Sequence, residues 1–402
     1  MARYLVIGLL AAILALPLYG QEEADDFIHR DFQLTFMMPP LSTNGVQFPE
    51  VVNCYSLNTF IGMSAGTECL ELGGFININK AYMRGAQMAG FINAVGLTPR
   101  AGYPSHGVQV AGFGNFLNSS FEGANMAGFA NLITRSASGM QAAGFANVTN
   151  LTANSLQLAG FANIGREVDS TIQLAGFSNI AVEGTENSQA SGFFNMAEGI
   201  RGFQVSGFVN IAQKVKGTQI AGFINICDTI EGIPLGMINI VRSNGYRALE
   251  ISNSDFNFFQ LSYKMGVEPL YVIYSMGKPT GGLRRWDLGL GLGTTFPFEI
   301  HYRLNLEAIV YQEMLVNHPD ASAFLKMPRL NMINQIRAII SRTITESTSA
   351  FLAPTFNIGI AGDPELGDPL TDDMMPYWKI APVSSAKKRV RMWFGFSAGL
   401  IF

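Results

Sequence analysis

Gln157-Leu158-Ala159-Gly160-Phe161-Ala162-Asn163-Ile164 is one full copy of a motif that recurs, with substitutions, along much of the chain. The glycines of successive copies fall at Gly74, Gly90, Gly112, Gly128, Gly144, Gly160, Gly176, Gly192, Gly207, Gly222 and Gly236. Most steps are sixteen residues, one is longer, and the last three shorten. A fixed period held over about 170 residues means stacked supersecondary units, none of which folds alone.

Each unit divides into a strand-like and a turn-like half. A strand alternates its side chains with period two. Counted so, Gln204, Ser206, Phe208 and Asn210 share one face, and Val205, Gly207, Val209 and Ile211 the other. The linking half, Ala212-Gln213-Lys214-Val215-Lys216-Gly217, is polar with a closing glycine. Sixteen residues per turn suits a narrow β-solenoid whose strands stack at roughly 4.8 Å, giving ladders of Phe, Asn and Gln. Asparagine ladders satisfy each other's amides along such a stack. Glycine before the aromatic is expected where a neighbouring ring or backbone fills the place of a Cβ.

Both strand faces carry apolar groups, which leaves two readings. In one, the phenylalanines point into the core and the aliphatic face packs across the coil. In the other, Phe113, Phe129, Phe145, Phe161 and Phe177 form an exposed stripe that binds a partner or a membrane. Upstream, Phe32–Phe36 and Ser56–Met63 read as strands that cap the stack, so residues 21–70 form a cap and 71–245 the array.

After Asn244-Gly245 the pattern lengthens. Phe298, Ile300, Tyr302, Leu304 and Leu306 alternate with Glu299, His301, Arg303, Asn305 and Glu307. Eight candidate strands fall near 246–254, 257–265, 268–277, 284–294, 296–311, 329–343, 348–361 and 391–402. Ten-residue segments alternating apolar with polar, in even number, mark a membrane-spanning β-barrel. Its second, fourth and sixth connections are short, whereas the third, fifth and seventh are longer, as periplasmic turns and external loops are; the first, also short, departs from this alternation. An eight-stranded barrel is filled by its side chains. Glu299, His301, Arg303, Glu307 and Arg337 are therefore expected to form an ionic plug inside it. A soluble β-sandwich is the alternative for residues 246–402. The whole chain thus reads as all-β: a solenoid-like array followed by an eight-stranded antiparallel barrel.

The bulk composition agrees. Charged residues make up 14 % and glycines number 43, unlike an average soluble protein. A net charge of −4 disfavours nucleic acid as a partner. Residues 1–20, with Arg3 before the apolar run Leu5–Leu16, read as a secretory signal peptide. Cys54 and Cys69 either pair in an oxidising compartment or, with Cys227, are small buried hydrophobes.

The Gly-Phe-x-Asn repeats run into Gly232-Ile233-Pro234-Leu235-Gly236-Met237-Ile238-Asn239-Ile240-Val241-Arg242-Ser243-Asn244-Gly245-Tyr246. Together with the entry segment Phe32-Gln33-Leu34-Thr35-Phe36-Met37-Met38-Pro39-Pro40-Leu41-Ser42-Thr43-Asn44-Gly45, this resembles exported surface-repeat proteins of Gram-negative bacteria. The resemblance implies an outer-membrane or surface location and no established activity. The barrel topology, with both ends periplasmic, would instead hold the repeats in the periplasm.

Catalytic signals are weak. His29, His106, His301 and His318 lack metal-ligand spacing, and Gly289, Gly291 and Gly293 belong to a strand face rather than a phosphate loop. Asp363, Glu365, Asp368, Asp372 and Asp373 suit either calcium or solvent, and Lys387, Lys388, Arg389 and Arg391 suit lipid headgroups or solvent. The expectation is a non-enzymatic envelope protein of the outer membrane, with neither cofactor nor metal. An adhesin and a transport pore are the alternatives. Its expected partners are outer-membrane lipid, the barrel-insertion machinery reached through Phe402, and an unidentified protein or glycan.

Overall fold

In a computed structural model the described residues are 27–97, 103–184, 187–279, 285–299, 302–316, 325–326, 331–361, 378–385 and 388–402. The signal-like residues 1–20 and the acidic segment 363–373 lie outside them. The chain forms two compact units, Met1–Cys227 and Asp228–Phe402. It is a β-solenoid of about 11 turns and a closed eight-stranded antiparallel barrel.

The solenoid strands are parallel and stack motif on motif: Asn147 pairs with Asn163, and Gln157 with Gln173. The stack starts at Ile28–Thr35, which pairs with Val51–Asn58 and, through it, with Ile61–Gly73. The segment 56–63 is therefore two strands separated by a bend at Thr59-Phe60. A disulfide joins Cys54 to Cys69 on neighbouring rungs. Closing a loop of this size contributes about 3 kcal/mol in the chain-entropy account. Cys227 is buried.

The interior corrects the face assignment made by counting. Gln204, Ser206 and Asn210 are buried, but Phe208 is exposed. The chain bends at Gly207-Phe208, so alternation restarts there and the aromatic stays outside. The same bend recurs at each motif. Glycine is required at it: a Cβ built on Gly144 would overlap the Gly128 carbonyl oxygen, and one on Gly160 that of Gly144.

Amides therefore line the core. Each asparagine Nδ2 from Asn58 to Asn210 donates to the Oδ1 of the next rung's asparagine, ending at Asn225, over 2.8–3.1 Å. The second amide proton usually reaches a backbone carbonyl, as from Asn147 to Leu158 at 2.8 Å. A glutamine column runs beside it with opposite polarity. Gln219, Gln204, Gln189, Gln173 and Gln157 each donate to the glutamine of the preceding rung at 2.7–3.2 Å. Elsewhere in the cross-section Met83, Val95, Leu117, Phe121, Ile133 and Ala137 form an apolar cluster.

The barrel strands are Tyr246–Ser254, Asn257–Val267, Leu270–Pro279, Arg285–Glu299, Tyr302–Val316, Asn331–Thr345, Thr348–Ala361 and Lys388–Ile401. Pairing of Glu250 with Ile401 and Ile251 with Leu400 closes the cylinder. The expected single strand over 296–311 is instead two: Glu299 pairs with Tyr302, and the chain reverses between them. The long final connection contains an unexpected strand, Trp378–Ser385, which pairs with the last barrel strand beyond the reach of Tyr246–Ser254.

The glutamine column has one break. Asn125 pairs in register with Gln109 and Gln141, but it is one methylene shorter than glutamine. Its amide atoms, Gln109 Oε1 and Gln141 Nε2 all lack a protein partner. Asn125→Gln would join those atoms, adding two hydrogen bonds worth about 1 kcal/mol each. We expect the thermal unfolding midpoint of the solenoid to rise by a few degrees, read by circular dichroism.

Candidate functional site

Two constellations stand out, one on the outside of the solenoid and one inside the barrel. The first is the aromatic ladder. Backbone bonds such as Phe145 N–H to Phe129 O, 2.8 Å, fix the rung spacing at the bend. The rings follow it: from Phe60 to Phe223 successive centroids lie 4.9–5.1 Å apart. Phe129, Phe145 and Phe161 are parallel to within 0°. Their exposure is 42, 41 and 42 %, so each ring is covered by its neighbours above and below and open at its edge. All five expected stripe residues, Phe113, Phe129, Phe145, Phe161 and Phe177, belong to this ladder. The rings therefore do not point into the core, Phe129, Phe145, Phe161 and Phe177 being exposed and Phe113 partly so.

Beside this ridge, on the side of the preceding strand, runs an open groove of about 820 Å³. Segments such as Leu158-Ala159-Gly160 line it, rung after rung. Met126 and Leu174 stand half-exposed along it.

The second constellation fills the barrel. Lys264 Nζ lies 2.7 Å from Glu250 and 2.6 Å from Glu307. Arg337 donates to Glu250 at 2.8 and 2.9 Å and, through Nε, to Glu307 at 2.8 Å. All four side chains are fully buried. Two carboxylates alternate with two cations, so each charge meets two of opposite sign and the set is neutral. Tyr271 donates to Glu307 at 2.7 Å and accepts from Asn305 at 2.9 Å. Glycines make room for the rings: a Cβ on Gly289 would lie 2.7 Å from Tyr311 Cδ1.

Of the expected plug, Glu307 and Arg337 meet as foreseen. Arg303 does not join them. It sits next to a short turn, is half-exposed, and faces Glu268 at 3.5 Å. The reversal between Glu299 and Tyr302 takes its strand position to the cylinder's end. The Glu299 side chain and His301 lie outside the described residues. Counting missed Glu250 and Lys264, although each flanks apolar neighbours in its own strand, as in Leu249-Glu250-Ile251 and Tyr263-Lys264-Met265.

A third buried charge, Glu71, occupies a glutamine position. It accepts from Asn58, Thr67, Asn79 and Gln87 at 2.9–3.0 Å. Burial holds its pKa above the usual carboxylate value despite those donors. It ends the glutamine column, accepting from Gln87 at 2.9 Å. Among the described residues no cluster of three or more His, Cys, Asp or Glu is placed to hold a metal. No protein-family model, curated protein or solved structure matches the chain.

Replacing Phe129, Phe145 and Phe161 together with Ser should leave the β-sheet dichroism intact. The unfolding midpoint should fall, since half-burial contributes about 1–2 kcal/mol per ring. Glu71 makes a second expectation. Its folded pKa is raised, so its contribution is largest below the unfolded pKa and is lost as pH rises through the folded one. The stability of wild type relative to Glu71→Gln should therefore decline from pH 4 upward in parallel melts.

Proposed function

We propose that this is a non-enzymatic cell-envelope protein, anchored by its barrel in the outer membrane, with the solenoid as a structural or binding element. The observation that carries this is the polarity of the barrel. Leu290, Leu352 and Phe396 point outward at 51, 68 and 72 % exposure, while Lys264 and Arg337 are sealed inside. A cylinder in water would bury the first set and expose the second. In a bilayer the arrangement satisfies both, because hydrocarbon meets the apolar side chains and the eight barrel strands close edge to edge.

The connections support the same reading. Val267 and Leu270, Glu299 and Tyr302, and Thr345 and Thr348 end paired strands three positions apart in sequence, as do Ser254 and Asn257, while the strand ends Val316 and Asn331, and Ala361 and Lys388, are separated by far longer stretches of sequence. The signal-like residues 1–20 and the resemblance to exported surface-repeat proteins favour passage through the inner membrane. The neutral ionic cluster favours an anchor over a pore, since it occupies the lumen across Glu250, Lys264, Glu307 and Arg337. The half-exposed phenylalanine ladder favours binding as the work of the solenoid.

Fractionation and electrophoresis test this. The chain should sediment with outer membranes, migrate differently on gels before and after boiling, and leave planar bilayers electrically silent. Recovery in soluble extract would reject the anchor, and steady single-channel conductance would reject the plug.

A further inference from the structure

Three outward columns of the solenoid are apolar at every rung. One runs in register from Leu72 through Leu158 to Ile220. The second is the phenylalanine ladder from Phe75 to Phe223. The third, on the other side of the ridge, runs from Ile78 through Ile164 to Ile226. Over ten rungs these columns contain only Leu, Ile, Val, Met, Ala and Phe. Apart from the buried Glu71, the charged residues described in the same rungs, such as Glu122, Arg135, Arg166, Glu183, Arg201 and Lys214, fall in the linking halves. We propose that this band lies in the surface of the bilayer that holds the barrel, so that the solenoid rests along the membrane on its phenylalanine edge with its linking halves in water.

The chemistry of the band argues for hydrocarbon as its cover. Protein interfaces carry about one hydrogen bond per 100–200 Å², and no side chain in the three columns has an N–H or O–H to give. A glycan lacks partners there for the same reason. Acyl chains need none, and being fluid they follow the ridge and the shallow groove beside it without a matched surface. Apolar on one edge and charged on the others is the arrangement of segments that lie in a membrane interface. The band also matches the barrel's outer wall: Phe161, Leu174 and Ile220 are 42, 37 and 38 % exposed, and Leu249, Ile251 and Tyr263 are 40, 39 and 40 % exposed.

Extent and connectivity agree. Nine ladder steps of 4.9–5.1 Å make the band about 44 Å long. Leu158 and Ile164 lie three residues to either side of Phe161, which makes it on the order of 15 Å wide. The product, roughly 650 Å², exceeds the ~300–600 Å² of the largest apolar patch on a typical monomer. Leu235 and Met237, 40 and 48 % exposed, extend it into the rung before the barrel. Tyr246 opens the first barrel strand five residues after Val241, a link that spans at most ~18 Å. The chain itself therefore holds one end of the band at a membrane-spanning strand. The inference deepens the reading of the barrel as an anchor and rests on it.

The test uses the full chain carrying Cys227→Ser, reconstituted at about one chain per vesicle in phosphatidylethanolamine and phosphatidylglycerol, a dilution that excludes pairing with a second copy. A fluorophore is attached through Leu288→Cys on the barrel wall, Phe161→Cys on the band or Ala153→Cys in a linking half, and quenched with brominated acyl chains. The probes at 288 and 161 should each lose about half their emission or more, because interfacial segments sit about 5–10 Å into the acyl boundary. The probe at 153 should keep its emission. Quenching at 288 but not at 161 overturns the proposal and leaves the anchor standing. No quenching at 288 rejects the anchor and the proposal with it. Equal quenching at 161 and 153 also overturns it, since the solenoid then has no lipid-facing edge. If Phe161→Cys does not fold by dichroism, Leu174→Cys takes its place with the same expectations.

Discussion

The asparagine-to-asparagine hydrogen bond between rungs is the contact on which the solenoid depends. Each amide spends one proton on the next asparagine and usually the other on a backbone carbonyl, as Asn163 does on Asn179 and Leu174. A buried amide left unpaired costs about 1–3 kcal/mol, so the column tolerates only one rung spacing and one register. That spacing then dictates the rest. It presses glycine on glycine carbonyl at the bend and brings the phenylalanine rings within 4.9 Å. The opposed direction of the glutamine column has an electrostatic consequence. Two adjacent files of aligned amide dipoles cancel instead of accumulating a field along the stack.

Both units bury many polar or charged side chains beside smaller apolar clusters. The solenoid buries Asn, Gln, Ser and Thr and leaves Phe, Leu and Met half-exposed, and the barrel buries Lys and Arg among carboxylates. Such interiors are stable only when nearly every polar atom has a partner. The ionic set meets that condition through alternation of sign. Removing one member would leave an uncompensated buried charge, at a cost of about 3–5 kcal/mol. The glutamine column fails the condition at Asn125 alone among its central rungs, where a single missing methylene opens the chain of donors. What the two interiors share is directional specificity, at the expense of apolar surface that must find cover elsewhere.

Much of this was legible in the residues. The Gly-Phe-x-Asn period announced a stack, and alternation such as Leu288-Gly289-Leu290-Gly291-Leu292 announced barrel strands. The strand at Tyr246–Ser254 was bounded correctly, because its alternation is uninterrupted. Legibility ended wherever period-two counting crossed a change of direction. At Gly207-Phe208 a bend resets the parity, so Phe208 and Asn210 lie on opposite sides of the wall. Between Glu299 and Tyr302 a reversal resembles continuous strand, since apolar and polar residues alternate straight through it.

Local periods could be read along the chain: sixteen for the rungs, two for the strands, and with them the class of each unit. These are properties of neighbouring residues, carried by side-chain direction along a single strand. Which residues meet across the fold was settled by long-range strand pairing. Glu250, Lys264, Glu307 and Arg337 come from four strands, and their encounter depends on how the cylinder closes and on the stagger between Tyr246–Ser254 and Lys388–Ile401. The facing of the phenylalanines was likewise set by a bend that spacing alone does not encode. Periodicity is a one-dimensional signal, whereas inside and outside exist only once the chain has closed on itself.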